Sequence, residues 1–199
     1  MGTGHPLRIG ILAFDDVEEL DLVGPYEVLT AWAEHSPLRP EVCLFSPDGA
    51  GVRAAKGLRL LPDTSAAEVG DLHVLIHPGG QGTRRLAQDR DHLAWLRELR
   101  PTTPLLASVC TGALVYAAAG LLAGRPATTH WRAVDELAAI DPSVMIDTEA
   151  RFVDDGDVLT SAGVSAGIDM ALHLVARLES TTAARDVRRG IQYDPAPPV

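Results

Sequence analysis

Cysteine is scarce in this chain. Only Cys43 and Cys110 occur among 199 residues, and in a cytosolic setting such a pair reads as two thiols, not as a structural disulfide. Long apolar runs are missing as well. Charges or turn residues interrupt every stretch well short of the roughly 20 residues of a membrane span, so a soluble protein that does not enter a membrane is expected. The opening residues, MGTGHPLRIGILAF, lack the basic region, long apolar region and small-residue cleavage site of a secretory leader. A cytoplasmic location follows as the expectation. A basic surplus is also absent: 17 Lys and Arg stand against 27 Asp and Glu, a formal charge of -10. With no basic run either, neither nucleic acid nor an anionic membrane is expected as a partner.

What is present is enough apolar material for one sizeable core, 46% of the residues. A single globular domain over residues 1–199 is the simplest reading. LRIGILAF (7–14), EVCLFS (41–46), HVLIHP (73–78) and PLLASV (104–109) are short, near-continuous apolar runs, the pattern of parallel strands covered on both faces. Helix-period stretches separate them. GPYEVLTAWAEH (24–35) gathers Val28, Leu29 and Trp32, with Pro25 in its first turn. DRDHLAWLRELR (89–100) repeats Leu93, Leu96 and Leu99, and TGALVYAAAGLL (111–122) is apolar nearly all round.

Further on, RAVDELAAI (132–140) reads as a helix, and SVMID and ARFVDDGDVLTS as strands with a turn at Asp155-Gly156. SAGIDMALHLVARLES (165–180) reads as an amphipathic helix capped by Ser165, with Ile168, Ala171, Leu172, Val175 and Leu178 on its stripe. A short helix near TAARDVRRG precedes an irregular tail, QYDPAPPV. Strands alternating with helices predict a three-layer α/β sandwich.

Three connections carry candidate chemistry. Cys110 falls between a strand ending at Val109 and a helix starting at Thr111, at the carboxyl edge of the sheet where open α/β proteins hold ligands. The unpaired N–H groups and positive dipole end of a helix favour an anion, so a thiol pKa below the roughly 8.5 of free cysteine is expected there. A small buried residue on an apolar corner is the plainer alternative. Cys43 lies inside a strand and reads as structural. HPGGQGTRRL (77–86) places Gly79, Gly80 and Gly82 after a strand, where backbone can approach a ligand closely. Its spacing is neither a dinucleotide fingerprint nor a P-loop, and alone it is only a tight turn. FDDVEELDLVGPYEVL (14–29) carries five carboxylates before Gly24. Asp15, Asp16 and Glu18 read as solvated caps, whereas Asp21, flanked by Leu20 and Leu22, sits where burial would raise its pKa.

Taken together these stretches, with SVCTGALVYAAAGLLAGRPATTHW and DGDVLTSAGVSAGIDMALHLVARL, resemble the ThiJ/PfpI superfamily over nearly the whole chain, and within it the isonitrile hydratase branch. The resemblance implies a flavodoxin-like three-layer sandwich with a mainly parallel sheet, the architecture of class I glutamine amidotransferases, and a homodimer. It implies a nucleophile at Cys110, an acidic partner at Asp21 in the LDLxGP pattern, and Thr111 beside the thiol. Gly80, next to Gly79, matches a second backbone donor, and His130 in ATTHW falls near the pocket or a dimer contact. A small-molecule substrate, no metal and no organic cofactor are implied with it.

Peptidase-like members of that superfamily follow the cysteine with histidine, and the amidotransferases pair theirs with a downstream histidine and carboxylate. Here Thr111 follows, so amide hydrolysis lacks its usual proton carrier. Hydration of an isonitrile to an N-substituted formamide is the leading expectation. Glyoxalase or deglycase chemistry on small dicarbonyls stands second, since those members use a glutamate where Asp21 is shorter. A ligand-sensing domain akin to those of AraC-type regulators stands third. Against that last reading, the chain ends at Val199 without room for a helix-turn-helix region and carries the wrong charge for DNA.

Overall fold

A computed structural model describes residues 6–194. In chain order the strands are β1 (Arg8–Leu12), β2 (Glu41–Ser46), β3 (Val52–Arg53), β4 (Arg59–Leu60), β5 (Thr64–Ser65), β6 (Val74–His77), β7 (Leu105–Val109), β8 (Pro126–Ala127), β9 (Met145–Ile146), β10 (Phe152–Asp154) and β11 (Val158–Ser161). The helices are α1 (Glu19–His35), α2 (Thr83–Leu86), α3 (Arg90–Leu99), α4 (Gly112–Ala118), α5 (Val134–Ile140), α6 (Ala166–Leu178) and α7 (Thr181–Gly190).

Seven strands form one sheet in the order β10-β11-β7-β6-β1-β2-β5. All its pairings are parallel except the β10–β11 hairpin at one edge. β6 and β7 are buried at every position, which is why their sequences read as unbroken apolar runs and not as alternation. The chain leaves β1 toward β2 but leaves β6 toward β7, in the opposite direction across the sheet. With right-handed crossovers, α1 and α3 therefore cover opposite faces. α1, α6 and α7 pack together, as do α2, α4 and α5 through α4, completing a flavodoxin-like three-layer α/β sandwich. Trp32, Tyr116, Phe45, Leu75 and Leu106 are among the large side chains fully buried in it.

Several local expectations change. α1 begins five residues earlier than 24, at Glu19, so Pro25 lies inside the helix and not in its first turn. Acidic Glu19 and Asp21 occupy the first turn instead, where the helix dipole favours negative charge. Proline lacks an N–H, so the carbonyl four residues back, that of Asp21, loses its usual intrahelical donor. α4 stops at Ala118, short of the apolar stretch that ran to 122. Ser165 makes no side-chain cap bond, and the buried stripe of α6 runs through Met170, Ala171, Leu174 and Val175, leaving Ile168, Leu172 and Leu178 half-buried. Cys43 is half-buried against the core, and burial pushes its thiol pKa up. Among the described residues no helix is long and apolar enough to cross a membrane. Pro195, Pro197 and Pro198 of the expected irregular tail lie outside the described residues.

Neighbouring strands β1 and β6, from which the chain departs in opposite directions, define the switch point of the sheet, where their carboxyl-end loops part to leave a crevice. An antiparallel bridge between Val17 and Gly80 ties those two loops together.

Candidate active site

Cys110 occupies the corner between β7 and α4 with φ of 57°, a left-handed conformation that costs a non-glycine residue roughly 1–2 kcal/mol. The corner is held at both ends. The Cys110 N–H is shared between the carbonyls of Ser161 and Ala162 at 3.1 and 3.2 Å. Its own carbonyl accepts the Thr129 hydroxyl at 2.8 Å. The residue is buried, at 6% exposure.

Asp21 reaches the same point from the first turn of α1 and is fully buried. Its Oδ2 accepts the Gly79 N–H at 3.0 Å. Its Oδ1 is buried without a regular hydrogen bond, and the carboxyl interacts with the thiol of Cys110. Burial lifts the carboxyl pKa to about 7, with the Glu18 charge adding to the rise while the Gly79 N–H, Cys110 and Lys56 oppose it. Burial also pushes the Cys110 thiol up to about 12, and the Asp21 carboxylate pushes the same way. The backbone N–H groups of Thr111 and Val164 pull its pKa back only partly.

This reverses the expectation of a thiol acidified by the helix end. α4 has only seven residues, and desolvation beside a carboxylate outweighs the few donors that face the sulfur. Near neutral pH the thiol keeps its proton while the Asp21 carboxyl is at the midpoint of its own titration. A free thiolate is therefore not the resting state, and forming one needs a base such as the adjacent carboxylate to take the thiol proton.

The predicted residues are brought together in part. Gly79 fits because a Cβ there would lie 2.6 Å from both Asp21 Oδ2 and the Thr111 nitrogen. Thr111 adjoins the sulfur through its N–H, and its hydroxyl accepts the Gly80 N–H at 2.9 Å. The Gly80 donor expected to face substrate is thus engaged by Thr111 in this structure. The Gly80 carbonyl in turn accepts from the Thr83 hydroxyl at 2.7 Å and from Arg84 Nη1 at 3.2 Å. His130 stands at the rim, with its ring so close to Gly163 that a Cβ there would lie 2.2 Å from Cδ2. Its Nδ1 accepts the Arg132 N–H at 3.2 Å, and partial burial, with Arg132 and Arg84 nearby, lowers its pKa.

Val164, Thr83 and Arg84 were not anticipated. Val164 holds φ of 51°, rare for a β-branched residue; the only hint was its place in the TSAGVSAG segment. Among the described residues no group of three or more His, Cys, Asp or Glu side chains gathers as a metal-binding set.

The sequence profile of the DJ-1/PfpI family matches residues 7–177. The chain is 39% identical to an isonitrile hydratase of Pseudomonas putida over 96% of its own length and 81% of that protein. It is 31% identical to the helix-turn-helix transcriptional regulator GbdR of Pseudomonas aeruginosa, over 87% of this chain but 47% of that one. A crystal structure of a ThiJ/PfpI family protein from Pseudomonas syringae superposes with a TM-score of 0.88 at 34% identity, covering 98% of this chain and 78% of the other.

Proposed function

The chain belongs to the DJ-1/PfpI family, and on that premise we propose that it is a lyase that hydrates an isonitrile to an N-substituted formamide, with Cys110 as nucleophile. The observation that carries this reading is the fully buried Asp21 carboxyl, held by the Gly79 N–H and set against the Cys110 thiol, with burial raising its pKa to about 7. Identity to an isonitrile hydratase over nearly the whole chain supports the same reaction.

The terminal carbon of R–NC is electrophilic and unhindered, and it requires a nucleophile and a proton at the same atom. As the Cys110 sulfur attacks that carbon, Asp21 takes the thiol proton and passes it to the carbon, giving the thioimidate R–N=CH–S–Cys110. Water then attacks the thioimidate carbon while the Asp21 carboxylate accepts a water proton and delivers it to the nitrogen. The tetrahedral R–NH–CH(OH)–S–Cys110 collapses with cleavage of C–S. The hydroxyl proton returns to the sulfur, and R–NH–CHO leaves. One carboxyl acts as base, acid and base again, which a pKa near 7 suits. Thr111 and Val164 N–H groups hold charge that develops at the sulfur.

We assign the protein as a homodimer acting on a small-molecule substrate without metal or organic cofactor. Leu20, Val23 and Tyr26 lie exposed along α1, and an apolar row of this kind supports burial against a second copy. Sedimentation at micromolar concentration should give a dimer; a monomer overturns that assignment.

Similarity to the regulator favours a second reading, a ligand-sensing domain. The deciding experiment is multiple-turnover formation of formamide from a panel of isonitriles, alongside dicarbonyls and amides. Mass spectrometry reads both the product and any adduct on the Cys110 peptide. Catalysis predicts many turnovers in wild type and none in Cys110→Ala, with the circular dichroism of the two proteins superimposable. Binding without turnover, or turnover that survives Cys110→Ala, defeats the hydratase proposal.

A further inference from the structure

His77 closes β6 immediately before the Pro78-Gly79-Gly80 loop and is fully buried. Its ring is wedged among those of Phe14, His92 and Tyr116, with centroids 5.5, 5.4 and 5.7 Å away. Nδ1 lies 2.9 Å from the carbonyl oxygen of the next residue, Pro78. Nε2 lies 3.2 Å from Nε2 of His92. The loop is pressed from the other side too, since a Cβ on Gly112 at the start of α4 would sit 2.2 Å from the His77 carbonyl oxygen.

A carbonyl only accepts, so Nδ1 of His77 carries the proton and donates to Pro78; its Nε2 is then a lone pair, and His92 donates to it from Nε2–H. The Pro78 carbonyl and the Gly79 N–H belong to one planar peptide unit and point in opposite directions across it. Holding the oxygen on one side therefore aims the hydrogen on the other. That hydrogen is the one donated to Asp21 Oδ2, with the nitrogen 3.0 Å from the oxygen.

We infer that His77 is a positioning residue for the acid–thiol pair: its Nδ1–H, with the tautomer set by His92, fixes the Pro78–Gly79 peptide plane so that the Gly79 N–H engages Asp21. His77 touches neither the thiol nor the carboxyl. Burial holds its pKa down at about 3, with His92 pushing the same way, and holds His92 at about 4. Both rings therefore stay neutral and keep their donor order through the working pH range. The inference rests on the proposed pairing of Asp21 with Cys110, but its test reads the titration of Asp21 itself and so stands apart from the substrate question.

The groups that face Asp21 are Cys110, Glu18, Lys56 and the Gly79 N–H, and the last of these favours its charged form. Loosening that bond should raise the carboxyl midpoint. The experiment is a carbon-detected NMR titration of the Asp21 carboxyl in wild type, His77→Phe and His77→Asn. Phenylalanine keeps the ring and loses the donor; asparagine places an amide N–H near the position of Nδ1. The midpoint should rise by about one pH unit in His77→Phe, the scale of one hydrogen bond to a charged acceptor. It should return toward wild type in His77→Asn. With an isonitrile as probe, kcat should fall in His77→Phe with little change in KM. A folded His77→Phe with an unchanged midpoint overturns the inference. If that variant fails to fold, nitrogen NMR of wild type decides: a proton on Nδ1 of His77 is expected, and a proton on Nε2 instead overturns it. Wild type without isonitrile turnover would end the hydratase proposal while leaving this titration interpretable.

Discussion

Val164 and Cys110 both hold left-handed backbone, with φ of 51° and 57°, and the Val164 backbone lies near enough to the Cys110 thiol to lower its pKa. Two uncommon conformations thus meet at the thiol. Such strain persists only where surrounding structure over-determines it, and the bonds from Ser161, Ala162 and Thr129 to the Cys110 backbone supply that restraint.

A strained corner should respond to glycine. Cys110→Gly and Cys110→Ala both remove the sulfur, but only glycine adopts this φ without a Cβ penalty. We expect Cys110→Gly to exceed Cys110→Ala in stability by about 1 kcal/mol, read by urea unfolding. Equal stability, or the reverse order, contradicts a strain account of the corner.

For the proposed hydration, the pH dependence follows from the raised pKa of the Asp21 carboxyl. Asp21 must be ionised to take the thiol proton, so kcat/KM should rise with pH to a plateau, with a midpoint at about 7. Asp21→Asn, which cannot accept that proton, should lower kcat/KM by about 10²-fold or more and abolish the limb. A profile that instead climbs with the ordinary thiol range, and survives Asp21→Asn, would show that the carboxyl takes no part.

Stability should carry the same signature with a definite sign. Asp21 ionises at about 7 when folded, against its ordinary 3.8, so the folded state holds the proton more tightly. That contribution is full below the lower value, fades as pH rises and is gone above the higher one. Between about pH 4 and pH 8, Asp21→Asn should therefore gain on wild type by at most about 4 kcal/mol. Urea midpoints at the two pH values provide the measurement; parallel wild-type and variant curves would contradict the buried ionisation.

Gly79 leaves no room for a side chain. In Gly79→Ala the new Cβ would fall 2.6 Å from Asp21 Oδ2 and the Thr111 nitrogen, so the loop or the carboxyl must move. Displacement of about 1 Å in an active site can cost about 10²-fold in rate, and a loss of that order in kcat is expected. A variant with wild-type kcat would mean that the Asp21 contact is dispensable.

The central strands were legible because burial on both faces writes itself into the sequence as unbroken apolar runs, as in HVLIHP and PLLASV. The place of Cys110, Asp21 and Gly79 in one site was also legible, through motifs that recur in order along the chain. The start of α1 was not: five carboxylates and Pro25 look like loop, whereas in the fold Asp21 lies in the helix and is buried against the Gly79 loop. The acidity of Cys110 was misjudged for a related reason. A helix end is visible in local sequence, whereas desolvation by residues brought from α1 and the 161–164 segment is not. Val164 and His77 escaped notice because positive φ and a ring clamped on its neighbour's carbonyl leave no periodic trace.

The bridge between Val17 and Gly80 has a practical consequence for protein engineering. The two loops are stitched at several points, since the Glu18 N–H donates to the Gly79 carbonyl and the Gly82 N–H to that of Asp16 beside the bridge. Grafting this chemistry onto a foreign parallel sheet would require transplanting residues 14–21 and 77–84 as one cassette, from adjacent strands, with their spacing intact. Exchange of either segment alone would carry the letters of the motif and leave its shape behind.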